Sequence, residues 1–153
     1  YIHGAGRIGV LVVADTAVVN DDVKEALKNI AMQIAAMNPK YISRADVDQD
    51  YIEGEKKVLL AEAKNEKPDA NEKMLEGIVN GRINKQLKEI CLMDQVYVKA
   101  EDGKQSVAAY LADVSKKVGS DVKVVKFVRF ETGEGLEKKN EDFAAEVAAQ
   151  MGM

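Results

Sequence analysis

Ile8-Gly9-Val10-Leu11-Val12-Val13 is an unbroken apolar run rich in β-branched side chains. Such a run suits a strand in the middle of a sheet, covered on both faces. Downstream of it, Asn20 is placed to cap a helix on which Val23, Leu27, Ile30, Ile34 and Met37 recur at helical spacing until Asn38-Pro39 stops the pattern. Those five side chains are expected to form one buried stripe, and full burial of each contributes ~1.5 to 3 kcal/mol. Near the other end of the chain, Val122, Val124, Val128 and Phe130 are expected to alternate onto one strand face, interrupted only by Lys126. Thr132-Gly133-Glu134-Gly135 ends that strand as a solvated turn. Two such strands predict an antiparallel sheet.

The texture changes from Asp46 to Cys91, where Glu, Lys and Ala dominate and Lys67-Pro68-Asp69 interrupts any continuous helix. Leu75, Val79, Ile83, Leu87 and Cys91 lie four apart on the second arm, while Tyr51, Ile52, Val58 and Leu59 give the first a thinner apolar line. This predicts an antiparallel helical hairpin standing off the domain. Val96-Tyr97-Val98 with Glu101-Asp102-Gly103 reads as a short strand and turn. Val107, Leu111, Val114 and Val118 then mark a helix closed by Gly119. The fold class is α+β: a small antiparallel sheet with helices packed on one face, interrupted by the hairpin. The expected divisions are a first part of the core subdomain over 1–47, a coiled-coil hairpin insertion over 48–91, a second core part over 92–135 and a C-terminal helical module over 136–153.

With 153 residues, 46% of them hydrophobic, the chain is long enough to bury a core. Its formal net charge of -4 gives no broad attraction for nucleic acid or an anionic membrane, and directs attention to a protein partner. The single Cys91 cannot close an intrachain disulfide, and no apolar run is long enough to span a bilayer or start secretion, so cytoplasm is the expected location. The chain opens on Tyr1 rather than Met, close to its first strand, and so reads as a piece of something longer. His3 is the sole histidine and the acidic residues are scattered among lysines, so no catalytic triad, metal site or cofactor site is expected. Asp21-Asp22 and Glu141-Asp142 are accounted for by helix starts. Two features ask for more. Phe143, Val147 and Met151 form an apolar line on a tail helix too short to be stable alone, which must dock on its own domain or on a partner. Tyr1-Ile2-His3-Gly4 places an aromatic ring, an imidazole and a glycine in a loop ahead of the first strand.

HGAGRIGVLV from His3 to Val12, IAMQIAAMNP from Ile30 to Pro39, GRINKQLKEICLMDQ from Gly81 to Gln95, and KFVRFETGEGLEKKNEDFAAEV from Lys126 to Val147 together closely resemble bacterial elongation factor Ts, in order and spacing. The resemblance implies a translation factor that binds elongation factor Tu carrying GDP, or free of nucleotide, and promotes GDP release without making or breaking a bond. It implies that His3 and Gly4 lie against the partner's nucleotide-binding domain, that Phe143, Ala144 and Val147 touch the same domain, and that the core around Val124 to Phe130 meets a second, β-rich domain. Three departures stand out. The family's Thr-Asp-Phe-Val motif, which belongs to the N-terminal half, has no counterpart here, so weak binding and poor exchange are expected. Val96 replaces a common proline after Gln95 and keeps its backbone donor, which favours fuller pairing of the following strand. Between Pro68 and Gly81 there is about one extra helical turn. A reading of a different class is a structural coiled-coil module that homodimerises through the hairpin. A small enzyme using Cys91 as nucleophile is a third, against which its place in the apolar line with Leu87 predicts an inert thiol.

Overall fold

In the computed structural model, which describes residues 1–134 and Gly152, three strands and four helices follow the order β1 (Ile2–His3), β2 (Ile8–Thr16), α1 (Asp21–Met37), α2 (Gln49–Glu66), α3 (Glu72–Ile90), α4 (Val107–Val118) and β3 (Val122–Glu131). The strands form one antiparallel sheet in the order β1-β2-β3, so the apolar run is the central strand, as its composition predicts. Val10, Val122 and Val124 face α1 and α4 and pack with Val23, Ile30, Ile34, Val107, Leu111 and Leu92 in the main core. The class is therefore α+β, with helices on one face of the sheet.

Cover on both faces, however, is not what the described residues provide. Successive side chains of a strand point to opposite faces. Leu11 and Val13 consequently point away from the helices and are 61% and 52% exposed. The expected alternation along β3 also fails part-way. Val13 pairs with Lys126 but Ala14 pairs with Val124, so Val125 is an extra residue in a β-bulge. One inserted residue exchanges the two faces of everything beyond it. Val122 and Val124 are thus buried, whereas Phe130, expected beside them, is exposed on the outer face and Phe127 packs against the core instead.

Helix α1 begins where the Asn20 side chain accepts a hydrogen bond from the Val23 amide at 2.9 Å, with Asp21 and Asp22 in its first turn. It ends on Asn38 in the left-handed region, φ 47°. Four of the five predicted stripe residues bury or partly bury; Met37, at the last turn, is exposed. On α3, Leu75, Val79, Ile83 and Leu87 are all buried, and Cys91 follows them. The first arm differs from expectation. Leu59 and Ala63 are its buried residues, while Tyr51 and Val58 are turned outward. Asp48 and Asn71 cap the two arms. Near the tip, a hydrogen bond and the charge of Arg82 hold the Glu66 carboxyl below its ordinary range.

No strand forms at Val96-Tyr97-Val98. A single isolated bridge joins Val96 to Ser106, and the Tyr97 amide donates to Gln105 O at 2.8 Å. Tyr97 alone of the three is buried, stacked on Tyr110 with ring centroids 4.1 Å apart. Keeping a donor at Val96 therefore does not produce the fuller pairing expected. The turn at Glu101 to Gly103 does form, and Asp102 accepts hydrogen bonds from the Lys104 and Gln105 amides, which keep its carboxyl below the usual range. Gly119 closes α4 at φ 71°.

Candidate partner-binding surface

Tyr1-Ile2-His3-Gly4 is not a free loop. Tyr1 and Val10 exchange backbone hydrogen bonds at 2.9 Å in both directions, and β1 continues the pairing with Ile2 opposite Gly9 and His3 opposite Ile8. The chain reverses over Gly4 to Arg7, closed by the Arg7 amide on Gly4 O at 3.3 Å. Ala5 and Gly6 have φ of 56° and 90°, the positive values that a type I′ hairpin turn demands at both central positions. Gly4 itself has φ 59°, while an added Cβ there would meet only Arg7 Cβ at 3.9 Å. Backbone conformation, not crowding, calls for glycine at position 4.

His3 sits half-buried at this end of the sheet, its Nδ1 2.9 Å from the Tyr1 hydroxyl and its ring 5.8 Å from the Tyr1 ring. That hydrogen bond orients the imidazole, and among the described residues no hydrogen bond engages Nε2. The neighbouring row on β3 carries Glu131, opposite Ile8, in an ion pair with Arg129 at 3.1 Å. Structure thus brings together His3, Gly4 and the Gly4–Arg7 turn. The other expected site residues, Phe143, Ala144 and Val147, lie outside the described residues, as do the tail helix and Glu141-Asp142.

The outer face of the sheet is a surface that residue patterns did not single out. Pairing places Ile2, Gly9 and Phe130 in one row, with Leu11 opposite Val128 in the next. Ile2 is 70% exposed and Phe130 56%, and Ile2 Cδ1 lies 3.9 Å from where a Gly9 Cβ would sit, an ordinary contact distance. Lys126 and the Asp15–Lys123 pair border it toward the far end of the strands. The signal for it was present: a continuous apolar run asks for cover on both faces, and here one face is left uncovered by the described residues.

Cys91 is fully buried, and desolvation, then the nearby Asp94 charge, push its thiol above the ordinary value. Among the described residues, no three His, Cys, Asp or Glu side chains converge as metal ligands, and no helix is long and apolar enough to cross a membrane.

The family described as elongation factor TS matches residues 1–134, the whole continuous stretch that carries these features. This chain belongs to the elongation factor Ts family. It is 53% identical over 151 residues to elongation factor Ts of Clostridioides difficile, covering 99% of this chain and 48% of that protein. Elongation factor Ts of Clostridium botulinum is 50% identical over 153 residues, covering 99% and 49%. That of Desulforamulus reducens is 49% identical over 156 residues, covering 99% and 70%. The chain spans about half the length of the first two of these elongation factor Ts proteins.

Proposed function

We propose that this chain binds elongation factor Tu in the cytoplasm and promotes release of its GDP, acting through protein–protein contact and not through catalysis of a bond change. The observation that carries the reading is the oriented His3 beside the Gly4–Arg7 turn, in a chain that belongs to this family over residues 1–134. A partner that prefers the nucleotide-free form must weaken nucleotide binding by the same factor, so exchange requires only differential affinity. His3 and Gly4 are the proposed contacts with the nucleotide-binding domain, with Phe143, Ala144 and Val147 completing them. The β3 segment from Val124 to Phe130 is proposed to meet a second domain, and the apolar face beside it, uncovered by any described residue, supplies area to bury.

The test is release of a fluorescent GDP analogue from elongation factor Tu, with affinity measured in parallel. This chain is expected to accelerate release only weakly, and His3→Ala to weaken binding. Its melting temperature should change little, because the main loss is one Tyr1–His3 hydrogen bond, worth ~0.5 to 1.5 kcal/mol. Absence of binding by the unaltered chain sinks the reading. Unchanged binding with a large thermal loss would instead make His3 structural. The alternative of an oligomerisation module gains nothing from Leu59, Val79 and Ile83, which are buried against one another inside the hairpin.

A further inference from the structure

Gln33 and Gln95 are the two buried polar side chains among the described residues, at 0% and 2% exposure. Burying a primary amide is unfavourable unless its hydrogen bonds are met, and here they are met across three separate parts of the fold. From α1, Gln33 Nε2 donates to Gln95 Oε1 at 3.2 Å and to Val96 O at 3.0 Å, and Gln33 Oε1 accepts from the Val98 amide at 2.8 Å. Gln95 Nε2 then donates to Glu89 O at 2.7 Å, in the last turn of α3, where carbonyls have no partner within the helix. The backbone of Gln95 accepts from the Val107 amide at the start of α4. One residue thereby ties the outgoing arm of the hairpin to both helices that cover the sheet.

We propose that this amide pair is a latch that sets the direction in which the α2–α3 hairpin leaves the rest of the molecule. The other contacts at the root are of three kinds, and none specifies an angle as well. Val47, Leu87 and Cys91 form a small apolar cluster with Tyr41, Ile52 and Ile90, whose attraction is non-directional. Arg44 bridges Asp94 at 2.9 Å and Asn84 at 3.0 Å, but these groups are exposed and screened by salt. Backbone bonds between Tyr41-Ile42 and Ile90 to Met93 hold the two chain crossings to each other, so they fix the root's width. The buried amides add the directional bonds between the arm and α1. With the latch closed, the hairpin is a rigid extension of the sheet domain, and a load on its tip is felt at the core.

Residual dipolar couplings of the amides in the full chain read this directly. In the unaltered protein the amides of α2 and α3 should share one alignment tensor with those of α1, α4 and the sheet. Gln95→Met keeps the side-chain length while removing both polar atoms. In that variant the hairpin couplings are expected still to fit the same two helices, yet to lose the shared tensor. If Gln95→Met does not fold, Gln33→Met cuts the pair from the α1 side and is read for the same loss. A shared tensor retained in the folded variant, with only a lowered melting temperature, would overturn the latch and leave the pair as ordinary core packing. A separate hairpin tensor in the unaltered chain would overturn it as well.

Discussion

Cys91 shows how one position carries two consequences. It lies at the end of α3, fully buried beside Leu87 and Val47, and this makes its thiol inert as well as hard to ionise. Desolvation is the leading cause of its raised pKa, with the Asp94 charge adding to it. The folded form therefore keeps its proton longer than the unfolded chain. The stability this group contributes is fully present below the thiol's ordinary value of 9.0 and is lost as pH rises through the higher folded value. Tyr97 is shifted the same way, first by burial and then by its neighbour Tyr110. Urea unfolding on either side of pH 9.0 should show a falling midpoint, with a shallower fall in Cys91→Ala. A thiol reagent should leave Cys91 unlabelled in the folded protein, and rapid labelling would show that the site is open.

Among the elements, α1 is held by its ends as much as by its stripe. Asn20→Ala removes the bond that the Val23 amide makes and should cost ~1 kcal/mol in chemical denaturation. Lys117→Ala breaks only the exposed pair with Asp22 and should cost less than half of that. Strand β3 offers a sharper test. Its bulge lets Val122 and Val124 face inward while Phe127 and Arg129 do so further along. Deleting Val125 would leave Val124 opposite Ala14 and Lys126 opposite Val13 in an unbroken ladder, with Phe127 and Arg129 still turned toward the helices. Arg129 would then keep its contact with Ala35 O at the end of α1. Deletion should therefore keep a cooperative melt, and Val125→Ala, at an exposed position, should shift the melt only slightly. A deletion variant without a cooperative melt would mean that the bulge itself is needed to shape the strand pair.

For the whole molecule, the division of labour between the two sheet faces is the main consequence. The inner face makes the core, and the outer face presents Ile2, Leu11 and Phe130 uncovered by any described residue. Leu11→Glu and Phe130→Glu should lower affinity for elongation factor Tu if the open face is part of the contact, with melting temperatures near the parent's; affinity equal to the parent's would remove that face from the proposed surface. Local information in the chain determined much of the architecture: the caps at Asn20 and Gly119, the break at Pro68, the buried line of α3, the central strand, and the class that follows from them. These depend on neighbours within a few residues, where spacing and backbone preference act. The location of Cys91 in the apolar line, and with it a buried thiol, was equally legible. What Tyr1 to Gly4 would do was not. Their pairing with Ile8 to Val10 needs a turn whose conformation rests on Ala5 and Gly6, and a strand two residues long has no periodicity to read. The bulge at Val125 was hidden because alternation assumes an unbroken ladder, and an unbroken ladder is a property of two strands, not one. The Gln33–Gln95 pair joins residues 62 apart. Only tertiary structure could decide these, because each depends on which distant backbone groups arrive beside a residue, and a single segment carries no record of that.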